Sequence, residues 1–433
     1  MIALGNRIRL LSGGKSLLGR SLIVLTTQMV RAFGALIVGL IIANAFTTAE
    51  FGDFRFFQIS LSLLATVAAP GFVILATSYF AKFEDGEPEK LPPLAHLGII
   101  SLIGGVFVSL VCFFLPGEYK LVPGGFMRLP FALAVLVVSA SYFSNGGLMG
   151  LGLFARVLFL ELLALAVMLS GVMLAAGLGD VTLALWSIVL SYSLVWVLGI
   201  IMLLKRIGLD TVRQSLNNHH WSSGVAEVAS SLGPLSLYGI LASALFWGTG
   251  WVLREAPDGA QAFALYTIGL QWFLVANMVP DVITRVAFPR MVQQVDADQE
   301  KASPLLLYCL IAGLITTVLI FLAALVLSPF ILALYGPQYT GAPYLIALFT
   351  AVAIPFGLHN ILGCGIVAWG GEVRWALITF IQFLVALVVA FFLVGQIESA
   401  GGWALLISAI CAMMLSAISV IHKSTGLRER HDK

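Results

Sequence analysis

Charge is the scarcest property of this 433-residue chain: Asp, Glu, Lys and Arg together make up 10% of it, where a soluble domain carries roughly 25%. A water-exposed globule of this length is excluded. Polar stretches long enough to hold a soluble domain are also missing, because 60% of the residues are hydrophobic and fall in runs along the whole length. The runs are continuous, Leu/Ile/Val/Ala-rich and about 20 residues long. They lack the alternation over about ten residues that membrane strands show, so helices crossing a ~30 Å hydrocarbon core are expected and a β-barrel is not. Cysteine is scarce too. Cys112, Cys309, Cys364 and Cys411 sit in separate apolar runs and read as small hydrophobic filler, so neither a disulfide framework nor a metal site is expected. A net charge of +2 gives no footprint for nucleic acid. No nucleophile, base and orienting group occur in combination, so no catalytic residue is assigned and no enzyme is expected.

What the chain does have is twelve apolar spans, at about 20–44, 54–82, 94–115, 130–149, 156–177, 181–204, 224–252, 262–288, 304–334, 343–369, 375–396 and 402–421. An even number returns the carboxy terminus to the starting side. Of the 23 Lys and Arg, 18 fall on the connections that share a side with the termini, while Arg55, Lys120, Arg128 and Arg254 fall opposite and Arg31 lies inside the first span. The positive-inside rule therefore places both termini in the cytoplasm. The basic start of the chain (Arg7, Arg9, Lys15, Arg20) has no small-residue cleavage site and reads as a retained cytoplasmic end.

The longest internal polar connection, about 205–222, divides the spans six and six. Gly152-Leu-Phe-Ala-Arg156 joins spans four and five, and Gly370-Gly-Glu-Val-Arg374 joins spans ten and eleven, 218 residues later. Leu115-Pro-Gly-Glu-Tyr119 is echoed by Tyr335-Gly-Pro-Gln-Tyr339 and Pro70 by Pro280, at offsets of 220 and 210. The expected fold is an all-α integral membrane protein of 12 transmembrane helices in two pseudo-symmetric six-helix bundles, residues 1–212 and 213–433.

Polar residues inside the spans are then the candidates for a site. Asn277, Pro280, Asp281 and Arg285 interrupt the eighth span, and a charge at mid-bilayer costs at least ~2.5–3.5 kcal/mol, which points to a lined cavity or substrate path. Pro70-Gly71 and Pro280-Asp281 are expected as paired helix breaks, or hinges, at corresponding places in the two repeats. The i,i+4 spacing of Asp281 and Arg285 places them on one helix face, either for substrate contact or as a neutralising ion pair. Arg31 lies too deep to snorkel and calls for a hydrated cavity or an acidic partner. Arg55 is either a mouth-lining cation or an ordinary interfacial charge. Gln58 and Asn277 complete the substrate-binding candidates, alongside Gln28, Asn145, Gln271, His359, Asn360 and Gln382 as further interior polar groups. A cationic cavity of this kind suits a phosphate or diphosphate. Glu161 and Glu227, expected near the cytoplasmic ends of their spans, are interfacial or, with Asp281, coupling residues for protons or sodium. Ser12-Gly-Gly-Lys-Ser16 lacks the first glycine and the preceding strand of a phosphate-binding loop, and His219-His220 and Asp296-Ala-Asp298 lack further ligands at metal spacing.

With Ala49-Glu-Phe-Gly-Asp-Phe54, Ala264-Leu-Tyr-Thr-Ile-Gly269, Phe288-Pro289 and Leu334-Tyr-Gly-Pro-Gln-Tyr339, the chain resembles, over essentially its whole length, the polysaccharide and oligosaccharide lipid flippases of the multidrug and oligosaccharidyl-lipid exporter superfamily. The resemblance implies a MATE-like fold in a bacterial inner membrane. It also implies an alternating-access flippase that carries an undecaprenyl-diphosphate-linked repeat unit to the periplasmic leaflet for O-antigen, capsule or exopolysaccharide synthesis, without an organic cofactor. Energy would come from H+, Na+ or the membrane potential, and a polysaccharide polymerase is the implied protein partner. The alternatives are a multidrug or organic-cation exporter of the same superfamily and a non-transporting scaffold of glycan assembly.

Overall fold

The computed structural model describes residues 17–84, 94–115, 127–210, 212–213, 221–257, 259–297, 302–340, 342–396 and 399–431. Thirteen α-helices are formed among them: α1 (Leu17–Ala45), α2 (Thr48–Ala68), α3 (Phe72–Glu84), α4 (Leu94–Phe114), α5 (Arg128–Gly150), α6 (Phe154–Leu178), α7 (Val181–Ile207), α8 (Trp221–Arg254), α9 (Gly259–Ala297), α10 (Ala302–Tyr335), α11 (Leu345–Ala368), α12 (Glu372–Leu393) and α13 (Ala400–His431). Among the described residues eleven helices are long and apolar enough to cross a membrane, and the α2/α3 pair, bent by 52°, makes twelve when taken as one span. Each falls on one of the expected runs. The proposed boundary at residue 212 lies beside 214–220, which, like Ser12–Ser16, His219-His220 and Asp298, are outside the described residues.

Two lobes repeat one packing scheme. In the first, α1 packs on α6, α6 on α7, α5 on both α4 and α7, and the α2/α3 span on α5. In the second, α8 packs on α12, α12 on α13, α11 on both α10 and α13, and α9 on α11. Numbered one to six within each half, the spans pair identically. The turn that ends the fourth span is repeated down to its hydrogen bonds: Gly152 N–H to Met149 O and Leu153 N–H to Leu148 O in one lobe, Gly370 N–H to Val367 O and Gly371 N–H to Ile366 O in the other. Gly152 and Gly370 take φ of 67° and 73°, a left-handed conformation that closes a helix end with little strain only at glycine.

Lipid offers no hydrophobic drive between helices, so close approach at small residues has to supply the contact. A Cβ on Gly146 would lie 2.6 Å from the Val73 carbonyl oxygen, and one on Gly269 would lie 2.2 Å from the Phe349 ring. Overpacking of this kind costs ~1–3 kcal/mol. Gly269→Leu is therefore expected to yield little monodisperse protein in detergent and a melting temperature several degrees below wild type; an unchanged melt would show that α9 and α11 are less tightly apposed. Buried hydroxyls are satisfied locally, since Thr27, Ser141, Ser187 and Thr249 each donate to a carbonyl three or four residues back.

The distribution of core residues defines how the lobes meet. Toward the end away from the termini, one hydrophobic core runs through both lobes, from Phe51, Phe57 and Ala68 to Phe263, Phe273 and Phe349. Toward the termini it divides. One part (Ala69, Phe72, Phe80, Leu203) belongs to the first lobe and the start of α8, through Val228, while two others (Ala287, Met291, Leu306; Trp375, Ile378, Ala412) belong to the second lobe. The lobes thus share one core at the sealed end and are parted into separate cores at the other, where α8 bridges them through Val228.

Candidate functional site

The seal is built from side chains that reach from one lobe to the other. Gln271 on α9 donates to the Ala35 carbonyl on α1 and accepts from the Tyr335 hydroxyl, at 3.2 and 2.7 Å. Asn44 donates to the Leu334 carbonyl and Gln338 to the Ala43 carbonyl. Trp247 on α8 donates to Ser60 on α2, and Arg254 reaches Asp53 at 2.6 Å with its guanidinium 4.0 Å over the Phe56 ring. Glycine makes room at the centre: a Cβ on Gly39 would stand 2.0 Å from the Arg55 guanidinium and 2.3 Å from the Gln271 amide.

Arg55 is therefore no interfacial charge. It is 5% exposed, donates one bond to Gln58, and holds its Nε and second terminal nitrogen without a hydrogen-bond partner. Phe51 lies 5.4 Å beneath it, and the Tyr335 and Tyr339 phenols are the other polar neighbours. Among the described residues, no carboxylate pairs with it. A desolvated, unpaired guanidinium costs several kcal/mol, so this seal contains a built-in strain.

The seal ends at Pro70-Gly71. Ala68 belongs to the shared core and Ala69 to the core of the first lobe, so the 52° bend sits at the boundary between them. Gly71 takes φ 70°, and the Pro70 carbonyl, freed from the helix, accepts from Ser236 of α8 at 3.1 Å. The α8 chain has its own non-helical residue nearby at Gly233. Two helix breaks thus meet across the lobe interface at the depth where the lobes part. The second expected break is not formed, because α9 runs helical through Pro280. The Pro280 ring packs on α11, where a Cβ on Gly357 would come within 2.8 Å of it, so a helix held by neighbours on several sides absorbs the missing hydrogen bond. Pro280 is corrected from a hinge to a packing residue.

In the parted half, each lobe presents one arginine. Arg31 lies on the inner stripe of α1, in line with buried Thr27, Gly34 and Val38 and opposite the exposed Leu22, Met29, Phe33 and Ile37. Its side chain is nonetheless 37% exposed. It forms an ion pair with Glu161 of α6, with Tyr142 and Tyr192 of α5 and α7 within electrostatic reach. The interfacial position expected for Glu161 gives way to a partner role. On α9, which packs against α1, α2, α8, α10, α11 and α13, Arg285 and Asp281 are 46% and 35% exposed and pair at 2.9 Å. Asn277, one turn before Asp281, has an unpartnered buried Oδ1 facing α11 near Gly357. Arg31 thus stands among first-lobe side chains and Arg285 and Asp281 near Tyr238 and Cys364 of the second lobe, while Arg55 and Gln58 lie in the seal. Gln382 and His359, whose Nδ1 lies 2.9 Å from the Ser416 hydroxyl, are buried to 1% in the carboxy-terminal lobe. The Glu227 side chain is outside the described residues. Among those described, no group of His, Cys, Asp and Glu could hold a metal.

No family model matches the sequence, and no curated protein matches it. Solved structures do match. An inward-facing multidrug resistance MATE family transporter of the MOP superfamily superposes with a TM-score of 0.70 at 14% identity, covering 95% of this chain and 99% of that one. The outward-facing conformation of such a transporter gives 0.68 at 14%, covering 98% of each chain. A MOP superfamily transporter from Pyrococcus furiosus, whose binding pocket has a reversed polarity that suggests a different function, gives 0.69 at 15%, covering 97% and 98%. At such identities the likeness establishes the fold: this chain has the architecture of MATE transporters.

Proposed function

We propose that this protein is an alternating-access flippase that moves the diphosphate head group and glycan of an undecaprenyl-diphosphate-linked repeat unit from the cytoplasmic to the periplasmic leaflet. The parted end, which carries the termini, faces the cytoplasm in this reading, and the sealed end is the periplasmic gate. The observation that carries it is the charge of the inter-lobe interior. Among the described site residues, Arg31, Arg55 and Arg285 stand against Glu161 and Asp281, leaving one positive charge over. Guanidinium groups bind phosphates through paired, charge-assisted hydrogen bonds. An organic cation would find repulsion there.

Moving a charge through 100 mV is worth ~2.3 kcal/mol, so a potential negative inside favours outward passage of an anionic head group. The multidrug MATE neighbours support a second reading, export of organic cations, on the same fold. A deletion strain separates the two. Arg285→Ala is expected to leave the lipid-linked unit on the cytoplasmic leaflet and to cut surface polysaccharide by at least tenfold, as lost charge-assisted bonds of ~1.5–3 kcal/mol require. Normal polymer in that variant, together with lost drug resistance in the deletion strain, would favour the exporter.

A further inference from the structure

We infer that Glu161 is an internal stand-in for the substrate's phosphate: in the empty carrier it occupies Arg31, and an incoming phosphoryl group displaces it. This rests on the flippase reading and specifies how its binding site is regulated. Asp281 performs the same service for Arg285.

Both arginines of the parted half are engaged by a carboxylate, one in each lobe. An anion arriving at either arginine therefore competes with a carboxylate already there. The Arg31–Glu161 pair joins positions 130 residues apart, so it is a product of the fold and not of helix spacing. It is not needed to dock α1 on α6, because the helices already meet tightly at Gly34, where a Cβ would lie 2.6 Å from Leu165. The arginine remains 37% exposed while Glu161 is 13% exposed, so the accessible member of the pair is the one an anion would bind. Carboxylate and phosphate use the same guanidinium geometry, and the phosphate brings more charge and more acceptors. Tyr192, on a neighbouring helix, stands within electrostatic reach of Glu161 and can receive the released carboxylate.

Two properties follow. Weak monovalent anions fail to open the pair, so occupancy is reserved for phosphoryl groups. The empty carrier keeps both arginines neutralised, so resetting moves no unbalanced charge from either pair against the membrane potential.

The test is the affinity of the full-length protein, in nanodiscs, for inorganic pyrophosphate and for farnesyl pyrophosphate. Glu161→Gln is expected to tighten both about tenfold, the equivalent of ~1.4 kcal/mol, and Arg31→Gln added to it is expected to remove the gain. Glu161→Asp, which keeps the charge on a shorter arm, is expected to give a smaller gain and serves if the Gln variant does not fold. Affinity unchanged or weakened in the Glu161 variants, with wild type binding normally, overturns the inference alone. No binding of either probe by wild type or any variant overturns the flippase reading with it. Preference for the farnesyl compound identifies a lipid-borne diphosphate, and equal affinity a free one.

Discussion

A Thr66→Cys, Ser243→Cys double variant, with the four native cysteines replaced, transports when reduced and stops when oxidised. The two hydroxyl oxygens lie 3.4 Å apart on α2 and α8, in opposite lobes. Cysteine sulfurs at these positions are placed to form a bond with modest adjustment. The position is well chosen because it lies between Trp247–Ser60 in the seal and Ser236–Pro70 at the bend. A covalent tie there holds the seal shut while leaving the parted half unconstrained. Loss of transport is expected to exceed a hundredfold and to reverse on reduction, read as glycan-lipid translocation in vesicles. Transport that continues after complete oxidation would mean that these helices do not separate, and that the sealed end is not a gate.

Arg55→Met is expected to make the protein more stable and the transporter worse. The guanidinium is buried with two nitrogens unpaired and, among the described residues, no carboxylate in contact, and replacing buried charge by an apolar side chain of similar volume commonly stabilises by ~1–4 kcal/mol. That gain belongs to the sealed state only. Opening hydrates Arg55, so removing its charge raises the barrier to opening by the same amount, and every ~1.4 kcal/mol slows that step tenfold. Melting temperature should rise by several degrees, transport should fall at least tenfold, and spin labels across the seal should report a smaller open population. A lower melting temperature with normal opening would contradict this and show that Arg55 is compensated in the seal.

Much of the fold was legible in the sequence, because lipid imposes one rule on every span and leaves few alternatives. All twelve runs became helical, eleven as helices long and apolar enough to cross a membrane and the second as a bent pair, and the Gly152 and Gly370 motifs mark equivalent turns because a left-handed residue is a local requirement. The pairing of Asp281 with Arg285 was readable for the same reason, being four residues within one helix. The partner of Arg31 was not. Glu161 sits 130 residues away, and only the packing of α1 on α6 brings the two together. The unpaired state of Arg55 was equally invisible, since it depends on α9 and α10 closing over α2. Pro280 misled because a proline predicts a lost hydrogen bond, whereas a bend requires that neighbours leave room for one. At Pro70 the following residue is a glycine and a serine from the other lobe takes the freed carbonyl; at Pro280 the ring meets Gly357 and the helix continues.

The central claim is that the inter-lobe interior selects an anionic, diphosphate-linked lipid. It is tested most directly by reconstituting the protein in vesicles with a fluorescent prenyl-diphosphate oligosaccharide and following its access to a quencher outside. The expected result is protein-dependent translocation that is lost in Arg31→Ala, Arg285→Ala and is not competed by organic cations. Translocation unaffected by loss of both arginines, or no translocation alongside active transport of an organic cation, would contradict the account.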